Sequence, residues 1–152
     1  MPEPSEENAY WPAHATLLLE SYRHWTQRDL LISTTPAHAL YHAPFGVLAH
    51  DAAADPCFTY ANLVAQTQFE RPWSEIVGLP SRYSAEPLAR AERQRLLARV
   101  ASRGYIDDYC GVRIARSGKR FTIQKATVWN LINPESVVLG QAACFEVAQF
   151  NI

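Results

Sequence analysis

The chain predicts an α+β domain built on a five-stranded antiparallel sheet, with helices on one face and an amphipathic helix ahead of it. Three observations carry that expectation. Residues 105–129 read as two long strands joined by a tight turn at Ser117-Gly118-Lys119. Alternating apolar residues mark both arms: Ile106, Val112 and Ile114 before the turn, Phe121 and Ile123 after it. Two shorter apolar segments, residues 45–50 and 57–60, flank the turn residues Asp51 to Pro56 and form a first hairpin. Helical patterns fill the interval from Asn62 to Arg103, and a run of helices between two groups of strands is the α+β order.

At 152 residues, 48% hydrophobic and 19% charged, the chain suits one domain with a real core. Residues 1–12 read as a flexible acidic tail, 13–43 as a helical segment and 44–149 as the domain proper. A net charge of −1 supplies no global attraction to nucleic acid or anionic membrane. No apolar run is long enough to span a bilayer. The acidic start lacks the features of a signal peptide, so a cytoplasmic location is expected.

The elements follow in order. Pro12 suits the first turn of a helix expected to run to about Leu31, with Leu18, Tyr22 and Trp25 on one stripe. Thr35-Pro36 opens a short second helix. Its His38 and His42 stand four apart, as in some metal sites, but no third ligand or intervening Glu accompanies them. Asn62 is a plausible N-cap, and Gly78 closes a short helix that Pro72 opens. Residues 79–87 read as a loop carrying Arg82, Ser84 and Glu86. The helix from Leu88 to Arg103 buries Leu96, Leu97 and Val100, with Arg90, Arg93, Arg95, Arg99 and Arg103 expected on a solvated face. Residues 137–147 read as the last strand. Cys57, Cys110 and Cys144 all fall in expected strands and read as reduced, buried small hydrophobes.

This organisation resembles the PAS sensory fold. Phe58-Thr-Tyr60-Ala-Asn62 looks like the second PAS strand running into the first helix, and Trp73-Ser-Glu75-Ile-Val-Gly78 like the short helix ending in glycine. A narrower resemblance is to the PAS-like MEKHLA domain family. It rests on Gly78-Leu-Pro80-Ser-Arg82-Tyr-Ser84-Ala-Glu86-Pro87, Ile106-Asp-Asp-Tyr109-Cys-Gly111-Val-Arg-Ile114, Ala126-Thr-Val-Trp129-Asn130 and Gly140-Gln-Ala-Ala-Cys-Phe145. That family occurs as small bacterial proteins and at the end of some plant transcription factors. The resemblance implies no particular reaction.

PAS domains often hold a ligand between sheet and helices. Aligned on the turn at Gly118, the two asparagines that grip flavin in light-sensing relatives fall at Arg113 and Ile123, and their glutamine at Ala142. Gln141 is expected on the opposite face. The reactive-cysteine loop corresponds to residues 80–84, which contain no cysteine. Neither flavin nor haem is expected, and no cofactor is assigned. The same alignment points Tyr109, Gly111, Arg113, Phe121 and Ile123 inward, and Val112 and Ile114 outward beneath the N-terminal helix. An inward Arg113 requires a carboxylate, with Asp107, Asp51 and Glu86 as candidates, or an anionic ligand. The adjacent Asp107 and Asp108 should face opposite ways, one in a hydrogen-bond network and one exposed, so they make a poor acid–base pair.

The expected function is a non-enzymatic sensory or regulatory module. Its candidate ligand-binding residues are Arg113, Tyr109, Arg82, Ser84, Phe121, Ile123 and Ala142. Its expected partners are a small molecule and a second copy met through the N-terminal helix and the outer sheet face. The alternatives are a ligand-free dimerisation module and, further off, an enzyme using an Asp with Tyr109 or Arg82. Lys125 marks a place where a bulge would switch the faces of the strand, since Ala126 and Val128 are the apolar residues beyond it.

Overall fold

The computed structural model describes residues 1–151, with residues 87–89 described by backbone alone. Helix α1 spans Pro12–Thr26 and α2 Pro36–Tyr41. Strands β1 (Gly46–Asp51) and β2 (Phe58–Ala61) form the first hairpin. Helices α3 (Leu63–Phe69), α4 (Trp73–Ile76) and α5 (Pro87–Arg103) follow, then β3 (Tyr105–Ile114), β4 (Arg120–Ile132) and β5 (Val138–Phe145). The sheet order is β2-β1-β5-β4-β3, with every neighbouring pair antiparallel.

Asn62 ties the first hairpin to the helices. Its side-chain oxygen accepts from Ala65 N as the cap of α3 and from Val47 N of β1, while its amide donates to Leu40 O and Phe45 O. One buried side chain thereby serves four backbone groups, of which Leu40 O has a further partner in Ala43 N.

Both sheet faces are covered. Helices α3 and α5 lie over the inner face, where Leu48, Phe69, Phe121 and Phe145 form one cluster and Leu96, Val100, Ile106 and Val128 another. Helix α1 covers the outer face with Ala15, Leu18 and Tyr22, against Val47, Ala49, Trp129 and Leu131. The Trp129 indole donates to Leu18 O, and the Trp25 indole to Asn130 O. Helix α1 ends at Thr26 rather than Leu31. Gln27 adopts a left-handed conformation, and the Thr26 hydroxyl turns back onto Tyr22 O. The helix covers the middle of the sheet and not Val112, which is 41% exposed. The first residues, expected as a tail, lie against the core. The Trp73 indole donates to Met1 O, and Tyr41 bonds Glu3.

A bulge does occur at Lys125, whose φ is 51°. Gly111 pairs with Ile123 but Tyr109 with Ala126, so β4 gains an unpaired residue and changes phase. Ile123 and Ala126 therefore face the same side. Val128 and Asn130 follow them inward, while Thr127, Trp129 and Leu131 turn toward α1. A second irregularity between Ile106 and Tyr109 leaves both Asp107 and Asp108 exposed, against the expectation that one would enter a network. Cys110 is likewise exposed, because the inward phase of this edge strand is taken by Tyr109 and Gly111.

Candidate functional site

A cavity of about 70 Å³ lies between the inner face of the sheet and α5, beside the helical turn Ser81–Ser84. Strand β3 contributes Tyr109 and Arg113, two residues on either side of Gly111. The three share one face through the period of two. The Arg113 guanidinium lies over the Tyr109 ring, 5.1 Å from its centroid. Gly111 makes the arrangement possible, since a Cβ there would run into the Tyr109 ring.

Arg113 is only 8% exposed. Among the described residues it has no carboxylate within ion-pairing distance, and it donates to Val112 O at 3.1 Å while its guanidinium also meets Tyr109. The three expected counter-charges are engaged elsewhere. Asp107 faces Arg28, Glu86 pairs with Arg120, and Asp51 accepts from the backbone N–H groups of Ala53 and Cys57. Burial lowers the pKa of Arg113, opposed by the neighbouring Tyr109 and, from beyond ion-pairing distance, by the charge of Glu92.

A second arginine joins it. Arg93 of α5, expected on the solvated face, is 6% exposed and donates to the Ser81 hydroxyl. Burial, with help from the charge of Arg113, pulls its pKa down to about 10. The signal was present in the sequence: Arg93 precedes Leu96, Leu97 and Val100 by three, four and seven residues, the spacing of one helical face.

The other candidates divide. Ser84 and Ile123 wall the cavity, and the Ser84 hydroxyl donates to Ser81 O. Phe121 is fully buried but packs between Phe69 and Phe150, in the core beside the cavity rather than on its wall. Arg82 turns outward to pair with Asp55 and lie over the Tyr83 ring, away from the cavity. Ala142 borders the cavity, but its side chain joins the outer cluster under α1.

Gln141 corrects the expected phase of β5. It pairs with Asn130 across β4, and Ala142 pairs with Trp129. Because the bulge has already turned Asn130 inward, Gln141 is the inward residue. Its amide nitrogen donates to Leu97 O and to Asn130 Oδ1, both at 3.1 Å, while Asn130 donates to Val100 O at 3.0 Å. These adjacent amides fasten α5 to the sheet. His50 stands opposite Gln141 on β1 and also walls the cavity. Burial lowers its pKa.

Two buried guanidiniums beside a small apolar space have the donor chemistry that suits an anion. Guanidinium offers planar paired donors matched to carboxylate or phosphate oxygens. The space is well under the ~300 Å³ typical of drug-sized ligand pockets. Arg113 and Ile123 stand at inward positions where flavin would need amide side chains, so the wall does not fit a flavin ring even with Gln141 on the inner face. His38 and His42 stack on each other, and among the described residues no cluster of metal-ligating side chains forms.

The sequence model of the MEKHLA domain matches residues 12–150. No curated protein matches the chain in sequence. Among solved structures, the chain is similar to a light-oxygen-voltage domain studied with a flavin analogue, at 19% identity and a TM-score of 0.58, covering 76% of this chain and 84% of that one. It is also similar to a PAS domain from Colwellia psychrerythraea, at 12% identity and a TM-score of 0.62, covering 73% and 92%. A third similar structure is an RNA-binding light-oxygen-voltage receptor, at 16% identity and a TM-score of 0.61. There the match covers 78% of this chain but 35% of the receptor, so this chain spans about a third of that protein's length. At these identities the likeness is one of fold.

Proposed function

The chain belongs to the MEKHLA domain family, and from that premise we propose that it is a sensory or regulatory module that takes a small anionic ligand between the sheet and α5. One observation carries the reading: Arg113 and Arg93 are both buried beside the same cavity, without a carboxylate in ion-pairing distance among the described residues. A buried charge without a partner is costly, and two like charges together cost more. An anion between them would offset both penalties, so its binding would stabilise the domain strongly for its size.

The ligand signal would be passed on by protein contact rather than by a reaction. Helix α5 is the element placed to respond, because it carries Arg93 and is fastened to the sheet by Gln141 and Asn130. A homodimer through the solvent side of α1 and the part of the outer sheet face that α1 leaves open, around Val112, is the partner arrangement we favour.

Calorimetric titration with acetate and with inorganic phosphate tests the reading. Saturable binding of either anion to the wild-type protein, lost in Arg113→Met, is the expected result. Absence of binding by both, or equal binding by the variant, would remove the anion site.

A further inference from the structure

The cavity wall carries a second kind of unmet demand, opposite in sign to the arginines. Two of the buried polar atoms without a hydrogen-bond partner are His50 Nε2 and Gln141 Oε1. They belong to cross-strand neighbours on β1 and β5, and both side chains wall the arginine-lined cavity.

Both orphans are acceptors. His50 Nδ1 lies 2.8 Å from Asp51 O, and a carbonyl can only accept, so Nδ1 carries the proton and leaves Nε2 with a lone pair. The Gln141 orientation is fixed similarly. Its Nε2 sits 3.1 Å from two oxygens, Leu97 O and Asn130 Oδ1, so the other amide atom must be the oxygen. Buried polar groups are rarely left without partners, and each such group in a folded protein calls for an explanation. Gln141 is 7% exposed and its Oε1 is closed to bulk solvent, so whatever meets it must sit inside the cavity.

The wall thus offers cationic donors from Arg113 and Arg93 and neutral acceptors from His50 and Gln141. A ligand that meets both must carry an anionic group and a hydrogen-bond donor. The donor must also be uncharged, because an ammonium would enter a space already holding two guanidinium charges. At about 70 Å³ the space admits a molecule of a few heavy atoms and nothing of drug size. Hydrogen phosphate, bicarbonate and a short hydroxy acid all meet those conditions, and the apolar lining of Leu96, Ile123 and Val128 favours the one that carries carbon.

We infer that the ligand of this site is a small hydroxy acid of two or three carbons, its carboxylate held by Arg113 and Arg93 and its hydroxyl donating to His50 Nε2 or Gln141 Oε1. This rests on the anion reading above and adds the donor requirement to it. The acid reaches the site as a free metabolite-sized molecule; no covalent step is involved.

Matched acids separate the two levels of the claim. Glycolate differs from acetate by one hydroxyl, and glycine replaces that hydroxyl with an ammonium. Calorimetry on the full chain should show glycolate binding about tenfold or more tighter than acetate, and glycine binding weaker than glycolate. In Gln141→Met and, separately, His50→Phe, at least one of the two should bring glycolate down to the acetate level while acetate binding persists. Acetate binding to either variant also verifies that its site is folded. If acetate binds and glycolate binds no tighter, or if glycine matches glycolate, the donor inference is wrong and the anion site stands. If none of the acids binds the wild-type protein, the anion site and the inference fall together.

Discussion

The Arg113 guanidinium rests over the Tyr109 ring, with Gly111 between them on the same strand face as the residue whose missing side chain leaves the ring its place. A methyl group on Gly111 would stand 2.6 Å from Tyr109 Cζ, inside contact distance. The ring would have to swing away from the guanidinium. Gly111→Ala should therefore destabilise the protein by about 1–3 kcal/mol, as overpacking does, and weaken acetate binding at the same time. Urea unfolding and calorimetry read the two effects. Unchanged values of both would show that the ring is free to lie elsewhere.

Arg113 itself should have the opposite effect on the unliganded protein. A buried guanidinium without a carboxylate partner is a destabilising feature of the unliganded fold. Replacing it with an apolar side chain of similar length removes the desolvation cost. Arg113→Met is expected to raise unfolding free energy in anion-free buffer by about 1–4 kcal/mol, while abolishing stabilisation by added anion. A destabilised variant would mean that Arg113 is held by its contacts with Tyr109 and Val112 O, and serves the fold.

Much of this fold was legible in the sequence because the strongest signals were local. The Ser117-Gly118-Lys119 turn, the alternation on both hairpin arms, the Asn62 cap and the Gly78 stop each depend on residues within a few positions. The inward phase of Tyr109, Gly111 and Arg113 was readable only through the resemblance to PAS domains, aligned on the Gly118 turn, because the local alternation of Val112 and Ile114 points the other way. What was not legible depends on register. The Lys125 bulge shifts β4 by one residue, and the shift passes through the ladder to β5, which exchanges Gln141 for Ala142 on the inner face. Lys125 was recognisable as a point of conflict, but its effect on a strand a dozen residues away required the pairing. Arg93 was missed through the expectation that arginines on a helix are solvated, although its spacing to Leu96 and Val100 argued otherwise. The outward turn of Arg82 depended on Asp55, which lies 27 positions away and had no periodic relation to it.

Asn62 offers a test of the scaffold separate from the ligand site. Its side chain serves Val47 N, Ala65 N, Leu40 O and Phe45 O, so truncation orphans groups on β1 and α3 together and leaves Leu40 O of α2 with Ala43 N alone. The expected cost of Asn62→Ala is about 2–4 kcal/mol, more than the ~1 kcal/mol of an exposed helix cap. Asn62→Asp should also destabilise, because a carboxylate keeps the two accepted bonds and loses both donated ones. Chemical unfolding of the two variants checks this. Losses near 1 kcal/mol for Asn62→Ala would mean that water replaces the side chain at the β1 end.

The titration of His50 sets the pH dependence of the same site. Burial holds its pKa below the ordinary value near 6.5, with the Asp51 carbonyl favouring the charged form and Arg93 of α5 opposing it. In the unfolded chain the imidazole takes up a proton as pH falls through about 6.5, while the folded chain stays neutral until lower pH. Over that window the unfolded state binds more protons, so stability falls as pH falls. His14 has the same sign of shift and adds to the trend. His50→Gln removes the His50 share alone. Between pH 7 and pH 5 the variant should lose less unfolding free energy than the wild-type protein, with the two curves converging in slope above pH 7. Parallel curves across the whole range would place the His50 imidazole in contact with solvent. Protonation also turns Nε2 from an acceptor into a donor. The preference for glycolate over acetate should therefore persist from pH 7 to pH 5, where the folded imidazole stays neutral, and shrink only at lower pH as the folded imidazole charges. A preference constant through that lower range would assign the hydroxyl to Gln141 Oε1 instead.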